Sequence, residues 1–202
     1  MDKGFNKEEY LKNEFNNFWQ DILGEKQDFF SKMTDKNFDI LKAALSNINN
    51  IITYNTTIKA IDNISKILKI NDSEKVKIVE IVSATKPNDN GYDIEYVYDK
   101  AFICEVKCNR PINGSNRFGS AQKNGITKDL EALIYGKSKS TIKSEDMVRF
   151  YKFMVIYEFD NKTIEAVEHY ISLLKGELKE RVILYKENIT LEHENVYVLL
   201  VK

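Results

Sequence analysis

Very little in this chain of 202 residues can staple it, break it or anchor it in a membrane. There are two cysteines, two prolines, two histidines and one tryptophan. Cys104 and Cys108 sit four apart in an apolar stretch. On a strand such residues share a face about 13 Å apart, too far for a disulfide. A zinc site would need two further ligands, and only His169 and His193 remain, both far downstream. Buried, inert thiols are the expectation. No apolar run approaches the roughly 20 residues that cross a bilayer. The stretch Met1–Glu9 is charged and polar, without the apolar segment of a signal peptide. A cytoplasmic protein with no membrane partner is expected.

Several chemistries are missing as well. No Gly-x-x-x-x-Gly-Lys-Ser/Thr and no Gly-x-Gly-x-x-Gly occurs, so no nucleotide cofactor is expected, and Gly-x-Ser-x-Gly is absent. His169 falls in a helical pattern and His193 between Glu192 and Glu194, which suits structural or exposed roles better than catalysis. A net charge of −1 gives no reason to expect a polyanionic partner held by bulk charge.

What is present is an ordinary globular composition, with 43% hydrophobic and 30% charged residues. Residues 6–23 read as an amphipathic helix with Tyr10, Leu11, Phe15, Phe18, Trp19, Ile22 and Leu23 on one face and Gly24 as C-cap. Such an aromatic stripe is core, or docks on a second subunit. Two more helices are predicted, Asp35 to about Asn50 and about Thr56 to Ile70. From Lys75 the character changes. Lys75–Ala84 is rich in β-branched residues and reads as a strand. A turn follows at 85–91, then a hairpin of Tyr92–Tyr98 and Ala101–Cys108. A polar loop over 109–118 leads to a helix, Ser120–Tyr135. A strand at Phe150–Phe159, a helix at Thr163–Leu174 and strands at Arg181–Tyr185 and Val196–Val201 complete the chain. The expected fold is α/β, a mixed central sheet flanked by helices. A helical region over 1–54 is expected to pack on a core of 55–202.

The chemistry sits in the hairpin. Gly91-Tyr92-Asp93 opens one strand, and Glu105-Val106-Lys107 closes the next. Alternation puts Glu105 and Lys107 on one face, with Cys104 and Val106 on the other. Pairing through the short connection at 99–100 can bring Asp93 alongside. Two carboxylates in one pocket repel and desolvate badly, and a divalent cation removes that cost. Magnesium takes one or two carboxylates plus waters and substrate phosphates. Asp93, Glu105 and the backbone carbonyl of Val106 are the predicted ligands. Lys107 would position the attacking water and stabilise the transition state. The competing possibility is a solvated strand face carrying a Glu–Lys cross-pair.

Asp, eleven residues, then Glu-x-Lys on adjacent strands resembles the PD-(D/E)xK, or restriction-endonuclease-like, nuclease superfamily. The resemblance covers roughly residues 55–160. It implies that Asp93 takes the first acidic position, Glu105 the second and Lys107 the lysine. Many members add an acidic residue from the preceding helix; the third helix here offers only Asp62, and Glu80 in the first predicted strand is a further metal-ligand candidate. It further implies a magnesium-dependent phosphodiesterase acting on DNA, with manganese as a substitute, in restriction, repair or mobile-element defence. Pro87 stands six residues before Asp93, and Tyr92 occupies the position of the motif's proline. Some exonuclease-like members carry Gln-x-x-x-Tyr in the next helix. Here Gln122 is present and Ile126 replaces the tyrosine, so Gln122 is a secondary catalytic candidate. A homodimer is a candidate assembly, since type II restriction enzymes commonly pair to cut both strands. A nuclease fold used only to bind nucleic acid or a protein is the alternative.

Charge is distributed unevenly. Residues 100–143 hold nine basic and three acidic residues, a net +6, whereas 1–37 hold six lysines against eight acids. The loop Asn109–Ala121 leaves the proposed catalytic strand carrying Arg110, Asn113, Asn116, Arg117 and Phe118, and Lys123 follows. Arg110, Asn116, Arg117 and Lys123 are the predicted DNA contacts, with Phe118 as a stacking surface and the glycines letting backbone amides approach a phosphate. A solvated surface loop is the alternative.

Overall fold

The computed structural model describes residues 5–86, 90–112 and 116–202. Pro87, Asn113 and Gly114 therefore lie outside the described residues. Two compact units emerge, 1–48 and 49–202, where sequence had put the division after residue 54.

In the first unit, α1 (Lys7–Leu23) begins at Asn6, whose side chain accepts from the amides of Glu8 and Glu9, and ends at Gly24. A single 3-10 turn follows at Phe30–Lys32. Phe15 is the hub of an aromatic cluster, with ring centroids 6.3 Å from Trp19, 5.9 Å from Phe30 and 5.5 Å from Phe38. No residue of α1 is fully buried, so the stripe expected as core is packed on one side only.

The two helices predicted next are one, α2 (Asp35–Leu68). Nothing between Asn50 and Thr56 breaks a helix. The hydroxyls of Thr56 and Thr57 bond back to the carbonyls of Ile52 and Thr53, both at 2.8 Å. The strand predicted at Lys75–Ala84 is instead α3 (Asp72–Ala84). Asn71 caps it by accepting from the Glu74 amide at 3.0 Å, and Asp72 and Glu74 sit where the helix dipole favours acids. The apolar alternation fails at Ile78-Val79, and Ile78, Val79 and Val82 share one core at helical spacing. The β-branched penalty in a helix is only a few tenths of a kcal/mol per residue, so packing overrides it.

With that strand gone, the sheet has five strands in the order β1-β2-β3-β5-β4. They are β1 (Ile94–Tyr96), β2 (Phe102–Lys107), β3 (Tyr151–Tyr157), β4 (Val182–Leu184) and β5 (Val196–Val201). Only β1–β2 is antiparallel. Helix α4 (Ser120–Tyr135) connects β2 to β3, and α5 (Asn161–Ser172) and α6 (Gly176–Arg181) connect β3 to β4. One face of the sheet packs on Ile126, Leu130, Leu133 and Ile134 of α4 and Ala166, Val167 and Tyr170 of α5. The other packs on Ala60, Ile61, Ile64 and Leu68 of α2 and Ile78 of α3. The molecule is thus α/β, a mixed sheet between helical layers. Among the described residues no helix is long and apolar enough to cross a membrane.

Candidate active site

Alternation along β2 sends Phe102, Cys104 and Val106 into the α2–α3 core and Ile103 into the α4–α5 core. Glu105 and Lys107 follow Ile103 and face α4. The hairpin register pairs Ile94 with Cys104, and one further step sets Asp93 opposite Glu105. Asp93 lies just before the shortened β1, and its Oδ2 accepts a 2.6 Å hydrogen bond from the Val106 amide. The N–H and C=O of a strand residue point to the same neighbour. The Val106 carbonyl therefore opens on the same edge as the Asp93 carboxylate.

Two further groups complete the cluster. Lys107 is ion-paired with Asp129 of α4. Lys137, just past α4, places Nζ 2.5 Å from Glu105 Oε1, donates to the Gly91 carbonyl and lies 5.0 Å over the Tyr92 ring. The glycines make this approach possible. Gly91 has φ +124 and Gly136 has φ +94, and a Cβ at Gly91 would stand 2.7 Å from Glu95 Oε1. Glu95 also ties the turn down by accepting from the Tyr92 amide at 3.0 Å. Tyr92 in turn donates to the Ala132 carbonyl at 2.8 Å.

Three carboxylates thus face two ammonium groups. Burial pushes the Asp93 carboxyl above its ordinary range, against the Val106 hydrogen bond and the charges of Lys137 and Lys107. Burial, then the charge of Asp93, pushes Glu105 up to about 8, against Lys137. Glu105 is 5% exposed. Its Oε1 has an ion-pair partner but no aligned hydrogen bond. Burial and the same two carboxylates push the Cys104 thiol well up, so it stays an inert thiol. Cys108 is partly buried, with Sγ 3.3 Å from Thr56 Oγ1.

Among the described residues, no three His, Cys, Asp or Glu side chains are grouped to hold a metal. Asp93, Glu105 and the Val106 carbonyl form an oxygen donor set smaller than that. Magnesium accepts such a set because it completes its shell with waters and substrate phosphates. Two carboxylates whose pKa values are raised, one by the charge of the other, are what a cation would relieve, so these residues fit one. Glu80 does not join them. It lies exposed on α3 rather than in a strand beside the hairpin.

The other predicted residues serve the loop. Gln122 accepts from the Gly119 amide at 2.9 Å and donates to the Arg110 carbonyl at 2.7 Å, so both ends of its amide brace loop backbone. Phe118, expected as a stacking surface, is 4% exposed and meets Tyr170 edge-on at 6.5 Å. It anchors the loop in the core instead. Arg110 is exposed and stacks 4.7 Å above Phe159. Asn116 donates to Glu165, Arg117 is exposed, and Lys123 is half-buried.

Asp129 and Lys137 escaped the sequence reading. For Asp129 a signal existed, because it lies three residues after Ile126 and four before Leu133, inside the buried stripe of α4. A carboxylate on a helix's core face demands a cation partner. Lys137 carried no such mark, since only the Gly136 reversal returns it to Glu105. No protein-family model, no curated protein and no solved structure matches the chain, so the likeness to restriction-endonuclease-like nucleases rests on the residues themselves.

Proposed function

We propose that the chain is a metal-dependent DNA endonuclease with a restriction-endonuclease-like core, serving restriction or mobile-element defence in the cytoplasm. The observation that carries this is the convergence of Asp93 and the buried Glu105, two carboxylates with raised pKa values, beside the Val106 backbone at the end of β2. Asp93 and Glu105 hold the cation, magnesium or manganese. What it supplies is charge neutralisation, polarisation of the phosphodiester and a more acidic water. Lys107, steadied by Asp129, directs its ammonium at the scissile phosphate and offsets the charge that develops there. The loop carrying Arg110, Arg117 and Lys123 leaves β2 directly and neutralises flanking phosphates.

Supercoiled plasmid DNA with magnesium tests this. Nicking or linearisation is expected, lost in EDTA and in Asp93→Asn. Calcium should support binding without cutting. Cleavage that persists in EDTA would exclude the metal mechanism.

One observation favours the alternative, a nuclease fold used only for binding: both lysines of the cluster are already paired with its carboxylates. DNA bound equally by the parent and Asp93→Asn proteins, with no cleavage in magnesium or manganese, would select it.

A further inference from the structure

We infer that the Lys137 ammonium fills the cation position of the Asp93–Glu105 pair, and that it must leave when a divalent cation enters. This rests on the proposed metal site and adds a resident competitor to it.

The Lys137 surroundings are those of a small cation site. Its Nζ has a carboxylate oxygen at 2.5 Å, a backbone carbonyl and an aromatic face. Lys137 and Asp93 also line one pocket, where the lysine's charge acts on the carboxylate. One ammonium thus serves both proposed ligands. The two glycines at positive φ are what let the Gly91 carbonyl and the Lys137 backbone come this close.

Charge balance argues for exchange rather than coexistence. With all groups ionised, Asp93, Glu105 and Asp129 against Lys107 and Lys137 leave one negative charge. Adding a dication to that cluster leaves one positive charge, buried beside Glu105. If Lys137 departs, the cluster is neutral. Room exists for it to do so. Lys137 lines a pocket of about 350 Å³ with Tyr54, Thr57 and Asp93, and also one of about 650 Å³ with Asp129 and Tyr135. Its four-carbon stem can carry the charge out of the ion pair without moving the backbone.

Manganese binding measured by calorimetry on the full chain tests this without reference to cleavage. Lys137→Met should bind manganese about tenfold tighter than the parent or better, a gain of about 1.4 kcal/mol, because no close, largely buried ion pair has then to be broken before the cation enters. Lys139→Met removes an equal charge from the exposed surface nearby and should change affinity less than about twofold. In the parent protein, manganese should also raise the acetylation rate of Lys137, read by peptide mass spectrometry, because the amine is released.

Lys137→Met binding no tighter than the parent, while Asp93→Asn abolishes binding, would overturn the exchange and leave the metal site standing. An equal gain in Lys139→Met would reduce it to general electrostatics and overturn it too. No manganese bound by either the parent or Lys137→Met would remove the metal site itself.

Discussion

Lys107 and Asp129 show how one side chain can serve the site and the fold together. Their side chains are 26% and 15% exposed. Removing the lysine therefore strands a largely buried carboxylate. A lysine that served the chemistry alone would cost no stability when removed. With the partner known, a cost of about 1–3 kcal/mol is expected, below the figure for fully buried pairs because of the residual exposure. Lys107→Ala with Asp129→Asn should recover most of it, and urea unfolding of the double-mutant cycle measures this. A wild-type midpoint for Lys107→Ala alone would mean that Asp129 is solvated after all. Lys152 poses the converse problem. It is 1% exposed in β3 and donates to the His193 carbonyl. Burial, then the charge of Arg181, lowers its pKa from 10.5 to about 8, against Glu194. A depressed lysine pKa means the unfolded chain holds the proton more tightly, so stability rises as pH climbs from about 8 to 10.5. Against Lys152→Met, the wild type should gain on the order of 3 kcal/mol across that window. Parallel stability–pH curves for the two would show that Lys152 titrates normally.

At the level of elements, several contacts hold the described residues of the 109–119 loop. Phe118 is buried in the core, Gln122 grips the backbone at Arg110 and Gly119, and Asn116 reaches Glu165 on α5. Gln122→Ala should loosen the loop and weaken DNA binding while leaving manganese affinity unchanged. Equal loss of both would return Gln122 to the catalytic cluster. If the loop tracks the backbone, Arg110→Ala, Arg117→Ala and Lys123→Ala in an Asp93→Asn background should each lower the slope of log K against log salt by about 1. Retention of the parent affinity and slope by all three variants would move the DNA surface elsewhere. The elements also mark where pattern alone fails. At Lys75–Ala84, composition spoke for a strand, while the Asn71 cap and the 78–79–82 spacing decided for a helix.

On the scale of the whole molecule, no described residue of the first unit is fully buried. Phe18, Ile22, Leu23, Ile40, Leu45 and Ile48 are 45–58% exposed, more apolar surface than a unit of 48 residues can shelter by itself. Under the proposed endonuclease reading a second copy of this chain is the expected cover, because cutting both strands would then need two sites related by a two-fold axis. Sedimentation equilibrium should give twice the 23.5 kDa chain mass, and Phe18→Glu with Ile22→Glu should return it to monomer. A monomeric parent at all concentrations would exclude a second copy as the occupant.

The hairpin carrying Asp93, Glu105 and Lys107, the helix α4 and the closing strand β5 were legible along the chain, because each is set by local periodicity and turn residues. So was the sharing of a face by Glu105 and Lys107, which follows from strand alternation alone. The fate of the Lys75–Ala84 segment was a matter of packing, since short β-branched runs suit either state. The company each charge keeps was decided only in three dimensions. Asp129 and Lys137 meet β2 because α4 crosses over it and Gly136 turns the chain back. Ion pairing between segments far apart in sequence depends on distance through space, which carries no trace in spacing along the chain.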